Sequence, residues 1–282
     1  MLEQLRKIVG EDHVWTDEPM KYHTTFRAGG CADYLVEPES VDAIREIVRL
    51  CRQEHMPYYV VGNGSNLLVS DEGYHGVIIH LYKNMSAFEI SGSHVKAQAG
   101  ALLVRVAKTA AKEGLAGLEF ASGIPGTIGG AMVMNAGAYG GEMKDVVTKV
   151  RVLLPDGTIG DYTGEEMDFG YRRSRVIEER GIVLEAEMEL KADDPEAIAA
   201  RMEELKNKRV SKQPLEYASA GSTFKRPEGY FAGKLIEDAG LRGFQVGDAQ
   251  VSEKHCGFVI NRGNATADEI MELIQEVQKR VY

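Results

Sequence analysis

At 282 residues, 44% of them apolar and 27% charged, the chain has the composition of a globular protein able to bury one large core or two to three smaller ones. The 43 acidic against 33 basic residues leave a formal charge of −10, a field that argues against nucleic acid as a partner and requires any anionic ligand to be held by local basic clusters. No apolar run approaches the ~20 residues of a bilayer span, the amphipathic N-terminus MLEQLRKIVGEDHVW is not a signal sequence, and Cys31, Cys51 and Cys256 suit neither a disulfide scaffold nor a zinc site, so a cytoplasmic protein without membrane contact or metal is expected.

Residues 34–37 (YLVE), 41–54 (VDAIREIVRLCRQE) and 58–61 (YYVV) read as strand, helix and strand. Val41, Ile44, Ile47 or Val48, and Cys51 share one helical face behind a Ser40 cap. The second strand runs into GNGSNLLVSD at 62–71, and an apolar strand, VIIHL, follows at 77–81. A helix over about 101–113 turns Leu102, Leu103, Val106 and Ala110 inward and ends at Gly114. Seven of the 19 residues from Gly123 to Gly141 are glycine, a composition costly in an ordinary helix or strand. Strands are predicted at 150–154, before a Pro155-Asp156-Gly157 turn, and at 182–190. In the latter, Leu184, Ala186, Met188 and Leu190 alternate with Glu185, Glu187 and Glu189, the pattern of a half-exposed strand. Asp193-Asp194-Pro195 opens a helix to about 209, with Ile198, Met202 and Leu205 as its buried stripe, and marks a domain boundary. A helix at 230–239, a strand around 257–261 and a last helix follow. That helix opens with a Thr266–Glu269 capping box and carries Ile270, Leu273, Ile274 and Val277.

GNGSN follows a strand as a dinucleotide fingerprint would, but the third glycine is missing and LLVSDEGYHG does not enter a helix, so that motif fails. The turn still clusters backbone N–H donors with the short side chains of Asn63, Ser65 and Asn66, which suits a phosphate or pyrophosphate; a tight turn with no ligand fits equally well. A second stretch, SGIPGTIGG then NAGAYGGE, lets backbone approach a large flat ligand, and two such turns suggest a nucleotide cofactor over mere close crossings of chain. Tyr139 and Phe169 are expected as core aromatics rather than ring stackers. Within FGYRRSR, Arg173 and Arg175 read as solvated surface, whereas Arg172, flanked by Tyr171 and Phe169, is a candidate to turn inward and bind a carboxylate. Ser222, in SAGSTFKRP, is either a turn serine or a proton donor beside Lys225 and Arg226. No G-x-S-x-G elbow marks it as a hydrolase nucleophile.

TTFRAGG (24–30), GNGSNLLVSD (62–71), ASGIPGTIGGAMVMNAGAYGGE (121–142), YRRS (171–174), SAGSTFKRP (219–227) and GFVIN (257–261) run in order over nearly the whole chain. Together they resemble the UDP-N-acetylenolpyruvoylglucosamine reductase family, flavoenzymes of bacterial peptidoglycan precursor synthesis. The resemblance implies an α+β protein: an N-terminal helical segment (1–20), an FAD-binding domain of the vanillyl-alcohol-oxidase (PCMH) type at 21–192 in two α/β subdomains (about 21–85 and 86–192), and a smaller α/β substrate-binding domain at 193–282. It implies that Gly62, Asn63, Gly64, Ser65 and Asn66 wrap the FAD pyrophosphate, and that Gly123, Ile124, Pro125, Gly126, Thr127, Gly129, Gly130, Ala138 and Ile182 line the flavin.

The implied reaction has two steps: NADPH reduces FAD and leaves, and a UDP-sugar bearing an enolpyruvyl ether takes its place. Hydride from the flavin adds to the terminal carbon of that ether. Arg172 stabilises the negative charge on the neighbouring carbon and its carboxylate, and Ser222 protonates the carbanion. Lys212 and Arg226 hold the UDP diphosphate or the substrate carboxylate. One departure stands out. The family's third catalytic residue is a glutamate in a C-terminal L-x-P-E-V-R-like segment, and the sequence stops at Val281-Tyr282 before it; Glu269, Glu272 and Glu276 do not match that motif, so a truncated C-terminus is expected. The short interval from Arg172 to Ser222 matches the compact subtype without an inserted tyrosine loop, and a monomer is the default expectation. Two other readings keep the fold. One is a flavin oxidase, against which stand the Ser222 loop and the want of a His or Cys motif for covalent flavin attachment; the other is a nucleotide-binding module without catalysis.

Overall fold

The β-α-β unit read from residues 34–61 forms in the computed structural model, which describes residues 1–281: strand Cys31–Val36, helix Val41–Gln53 and strand Tyr58–Val61. Ser40 Oγ accepts the Ala43 N–H at 3.1 Å, satisfying an orphan donor of the first turn, and Ile44, Ile47, Val48 and Cys51 bury the predicted face. Tyr58–Val61 pairs in parallel with Tyr74–His80, Tyr58 opposite Val77. The sheet is ordered Val14–Pro19, Cys31–Val36, Tyr74–His80, Tyr58–Val61. The N-terminal segment, expected to be helical over 1–20, holds both helix and strand. The helix is Leu2–Val9, Gly10 stops it at φ 89°, and after the 3-10 turn Glu11–His13 the β-favouring Val14-Trp15-Thr16 starts a strand.

The chain forms two compact units, neither contiguous in sequence. The first comprises residues 1–16, 34–63 and 76–207. Besides the β-α-β element it holds a five-stranded antiparallel sheet ordered Ile159–Thr163, Val147–Leu153, Ile182–Glu189, His94–Gln98, Phe88–Ser91. The last two strands, a hairpin turned at Gly92 (φ 59°), carried too weak an alternation to be read from sequence. In Ile182–Glu189 the inward Leu184, Ala186 and Met188 are buried, as predicted. The outward glutamates meet cations on both flanks: Glu185 lies 3.2 Å from Lys96 and opposite Arg151, and Glu187 pairs with Lys149 at 3.8 Å. These cross-strand ion pairs explain why acid alternates with apolar there.

Helix Leu103–Lys112 buries Leu103, Val106, Ala107 and Ala110, and Gly114 (φ 70°) ends it as expected. Helix Pro195–Lys212 buries only Ile198 fully; Met202 and Leu205, expected beside it, are half-buried. The units therefore cut the chain differently from a boundary at 193. Arg201 of this helix bridges Glu119 at 2.8 Å and Asp193 at 2.6 Å, which ties it into the first unit through Asn207.

The second unit comprises residues 17–33, 64–75 and those from Lys208 on. A three-stranded antiparallel sheet, ordered Gln245–Val246, Ala249–Val251, Val259–Asn261, carries the helices Ala232–Asp238 and Ala267–Val281. Its core joins Ile236, Val251, Val259, Ile270, Leu273 and Val277 with Phe26 and Ala28. The predicted capping box is present: Thr266 Oγ1 accepts the Glu269 N–H at 3.1 Å, and Glu269 Oε2 accepts the Thr266 N–H at 3.2 Å. Asp71, from GNGSNLLVSD, adds a second cap, its carboxylate accepting the Ala267 and Asp268 N–H groups at 2.9 Å each.

Candidate active site

The turn at 62–66 separates into two kinds of residue. Gly62 is required by packing, since a Cβ there would overlap the Thr127 side chain. Gly64 is required by its left-handed backbone, φ 57°, and by its approach to the His23 carbonyl. Among the described residues, none of the backbone N–H groups of Asn63, Gly64, Ser65 and Asn66 donates to a protein acceptor. Asn63 Nδ2 donates to the Pro125 carbonyl at 2.5 Å, which joins this turn to the second glycine-rich stretch. Four consecutive donors without acceptors form the donor set that an anionic pyrophosphate needs, so these residues fit the dinucleotide the sequence implied.

In the second stretch, Thr127 caps the short helix Ile128–Val133, its Oγ1 accepting the Gly130 N–H at 3.5 Å. The Gly129 N–H donates to the Ala99 carbonyl at 2.7 Å, and a Cβ at Gly129 would crowd Ala99, so this glycine serves a close crossing. Gly123, Ile124, Gly126 and Ala138 are half-buried and Pro125 and Gly130 exposed, whereas Thr127, Gly129 and Ile182 are buried. NAGAYGGE folds as a hairpin, Gly137–Ala138 against Gly141–Glu142, turned by Tyr139 (φ 54°) and Gly140 (φ 91°). Positive φ at both central residues is the geometry of a type I′ turn. Tyr139 is thus at an exposed tip, not in the core as expected; Phe169 does pack on the core.

The three arginines of FGYRRSR part ways. Arg173 is held by Asp168 at 2.6 Å and Glu178 at 2.8 Å, and Arg175 by Glu179 at 2.6 Å; Arg173 is exposed, as expected of a surface charge, and Arg175 half-buried. Arg172 has no ion-pair partner among the described residues; its guanidinium lies 5.6 Å from the Tyr171 ring centroid. Its backbone is left-handed, φ 56°, at the tip of a turn closed by reciprocal Gly170 and Arg173 hydrogen bonds of 3.1 and 3.2 Å. Tyr171 is exposed, so the inward pull expected from its apolar flank does not operate, and Arg172 is half-buried by the turn itself. The carboxylate of Glu142 feels its charge: Glu142 is held below its ordinary range first by the Lys144 ammonium hydrogen-bonded to it, then by the Asn135 amide, with the charge of Arg172 contributing.

Ser222 is exposed and faces Phe258 across a single-residue bridge. Its loop is fixed at both ends: Thr25 Oγ1 donates to the Ser219 carbonyl at 2.7 Å, the Asn261 N–H to the Ala218 carbonyl at 2.8 Å, and the Thr223 N–H to the Gly257 carbonyl at 2.9 Å. This gives TTFRAGG its part, as Thr25 holds the serine loop and Asn261 Nδ2 donates to the Phe26 carbonyl at 2.9 Å. Lys212 and Arg226 are exposed, the latter with its guanidinium 4.8 Å from the Phe231 ring centroid. Of the three helical glutamates, Glu269 is engaged in the cap and Glu276 pairs with Arg280. Sequence reading assigned no role to Asn135, Glu142 or Ser174, although all three sit inside the quoted motifs; for Asn135 a polar residue set among glycines and apolar residues was the available signal, and for the other two there was none. Among the described residues no helix is long and apolar enough to cross a membrane, and no cluster of His, Cys, Asp or Glu suits a metal ion.

Residues 32–162 match the family model of the FAD binding domain. The crystal structure of p-cresol methylhydroxylase superposes with TM-score 0.54 at 17% identity, over 69% of this chain and 43% of that one, a likeness of fold alone. The class is therefore an α+β protein with an FAD-binding domain of PCMH-type fold. Residues 213–282 match the model for the C-terminal domain of UDP-N-acetylenolpyruvoylglucosamine reductase. The reductase so named in Clostridioides difficile is 50% identical over 278 residues, 99% of this chain and 91% of that one, and its counterpart in Agathobacter rectalis is 54% identical, over 94% and 88%. The crystal structure of the Thermus caldophilus enzyme of that name superposes with TM-score 0.83 at 39% identity, covering 94% of each chain. The chain belongs to the UDP-N-acetylenolpyruvoylglucosamine reductase family, FAD-containing oxidoreductases of peptidoglycan precursor synthesis.

Proposed function

We propose that this chain uses NADPH to reduce UDP-N-acetylglucosamine enolpyruvate to UDP-N-acetylmuramate, acting as a cytoplasmic monomer. FAD, when bound, supplies the hydride relay from NADPH to the substrate. Residues Gly62–Asn66 would hold its pyrophosphate through their N–H groups, and Gly123–Thr127, Gly129, Gly130, Ala138 and Ile182 would line its ring system. The division into an FAD-binding part (21–192) and a substrate-binding part (193–282) is likewise a functional assignment.

Addition of hydride to the terminal carbon leaves an electron pair on the adjacent carbon, shared with its carboxylate. Arg172 stabilises that charge. The observation that carries this reading is its pairing state: Arg173 and Arg175 are neutralised by carboxylates, while Arg172 is left to meet an anion. Ser222 then gives its proton to the carbanion. A hydroxyl is a weak acid, but the carbanion is a far stronger base, so reach rather than a tuned pKa governs the transfer. Lys212 and Arg226, both exposed cations, hold the UDP diphosphate or the substrate carboxylate.

The test is the visible spectrum of the purified, FAD-loaded protein under anaerobic conditions. Bleaching by NADPH, followed by recovery of colour only when the enolpyruvyl substrate is added, supports the proposal. Recovery with oxygen alone at a catalytic rate would replace it with an oxidase, and failure to take up FAD would overturn it.

A further inference from the structure

We infer that Asn135 and Ser174 are positioning residues that clamp the Arg172 turn to the middle of the glycine-rich segment and so fix the guanidinium for its charge-stabilising role. The inference rests on the role proposed above for Arg172. A two-residue tip carrying an arginine at φ 56° is strained, and left to itself would relax to a commoner backbone. Both stems of this tip are held. On one side the Gly170 carbonyl accepts Asn135 Nδ2 at 3.2 Å, in addition to the Arg173 N–H. On the other, Ser174 Oγ donates to the Val133 carbonyl at 2.8 Å. Both holds end in residues 133–135, at the C-terminal end of the helix Ile128–Val133.

The two anchors are polar side chains in places where apolar ones would serve packing: Asn135 is 3% exposed and Ser174 0%. Asn135 uses both amide donors and its carbonyl oxygen in fixed directions. Nδ2 lies between two groups that only accept, the Gly170 carbonyl and the Glu142 carboxylate at 2.9 Å, and Oδ1 accepts the Lys144 N–H at 3.0 Å. That partner set allows one amide orientation. Glu142 in turn accepts from Lys144 Nζ at 3.0 Å, so the clamp has a charged base on the hairpin side. A satisfied buried network of this kind specifies one geometry, because any displaced member leaves a partner without a hydrogen bond. The same residues that follow the flavin-lining segment therefore set where Arg172 stands.

The experiment compares Asn135→Gly, which keeps the left-handed backbone without strain, and Ser174→Ala in the FAD-loaded protein. Reduction by NADPH should stay within about 3-fold of the parent, while reoxidation by the enolpyruvyl substrate should slow ~10- to 100-fold, the usual scale for a charge displaced by about an ångström. In an Arg172→Ala background either change should cost less than about 2-fold more, since it acts through a group already removed. In the flavin-free protein, amide exchange at Arg173 should speed up at least about 10-fold on loss of a hold. Additive effects with Arg172→Ala, equal slowing of both half-reactions, or unchanged exchange at Arg173 would each overturn the clamp. If Arg172→Ala alone leaves reoxidation untouched, the role of Arg172 fails, and the exchange measurement still decides whether the clamp exists. Should Asn135→Gly not fold, Ser174→Ala carries the same comparisons.

Discussion

The Arg172 turn and the Ser222 loop are built on opposite plans. Arg172 sits on strained backbone whose stems are locked by two fully buried polar side chains. Ser222 is exposed, its hydroxyl has no hydrogen-bond partner among the described residues, and its loop is held through the main chain of Ala218, Ser219 and Thr223 rather than by buried polar side chains of its own. Electrostatic stabilisation depends on a charge being in place before the reaction, because reorientation during the step cancels the gain. Delivery of a proton to a strong base needs only approach within hydrogen-bond range. On the roles proposed above, the more rigid support stands under the cation and the looser one under the acid.

The largest effects should come from the two tips themselves. Ser222→Ala should slow reoxidation of the reduced enzyme by substrate ~10²- to 10⁴-fold, with reduction by NADPH unchanged; stopped-flow spectra of each half-reaction measure this. Arg172→Ala should slow the same step ~10²- to 10³-fold. Arg172→Lys sharpens the contrast: a flexible ammonium on the same turn lacks the planar fork and should recover less than about 10-fold of the loss. Full recovery by lysine would show that charge alone suffices there, and the distinction between a fixed cation and a mobile acid would collapse.

The comparison was only half legible in the sequence. The glycine-rich turns, the β-α-β unit and the capping box could be read because each is a local pattern: Ser40, Gly114 and Thr266–Glu269 act on residues within one turn of themselves. Individual glycines were less readable, since Gly62 and Gly129 answer to Thr127 and Ala99, partners far along the chain. For the same reason Asn135 and Ser174 passed without a role, their partners lying 35 and 41 positions away. Tyr139 was placed wrongly because aromatic character suggested a core, whereas the following glycines made a two-residue hairpin tip. The discontinuous second unit, which gathers residues 17–33 and 64–75 with the C-terminal part, has no local signature at all.

A smaller effect tests whether the unit bearing Ser222 has an independent stability. Asp71→Ala removes the carboxylate that caps Ala267–Val281 at two N–H groups, which should cost about 1 kcal/mol, measured as a lowered midpoint in urea. If the lost stability also accelerates amide exchange at Thr223, the serine loop shares the fate of that helix; if exchange there is unmoved, the loop opens on its own.

The smallest expected effect is a pH dependence that only one of the two regions should show. The Arg172 clamp contains an amide, a hydroxyl and a carboxylate held below its ordinary range by Lys144, so nothing in it titrates near neutrality. Behind Ser222 the situation differs. His255 Nδ1 accepts the Gly257 N–H at 3.0 Å, and the Gly257 carbonyl accepts the Thr223 N–H. Burial, chiefly, lowers the His255 pKa from 6.5; its backbone hydrogen bond opposes this and the charge of Lys212 reinforces it. The folded state therefore favours the neutral ring with an acceptor at Nδ1, while the unfolded chain takes up a proton as soon as pH falls through about 6.5. Stability from this group is complete above that pH and declines as pH drops toward the lower folded value, because an imidazolium can only donate and must release the Gly257 N–H. Thermal midpoints measured downward from pH 7 should fall more steeply for the parent than for His255→Gln, whose side-chain oxygen accepts without titrating. Protection of the Thr223 amide, taken relative to its intrinsic exchange rate at each pH, should fall over the same range while that of Arg173 stays flat; a parallel loss of protection at both sites would mean that the two tips loosen together and that their supports are not distinct.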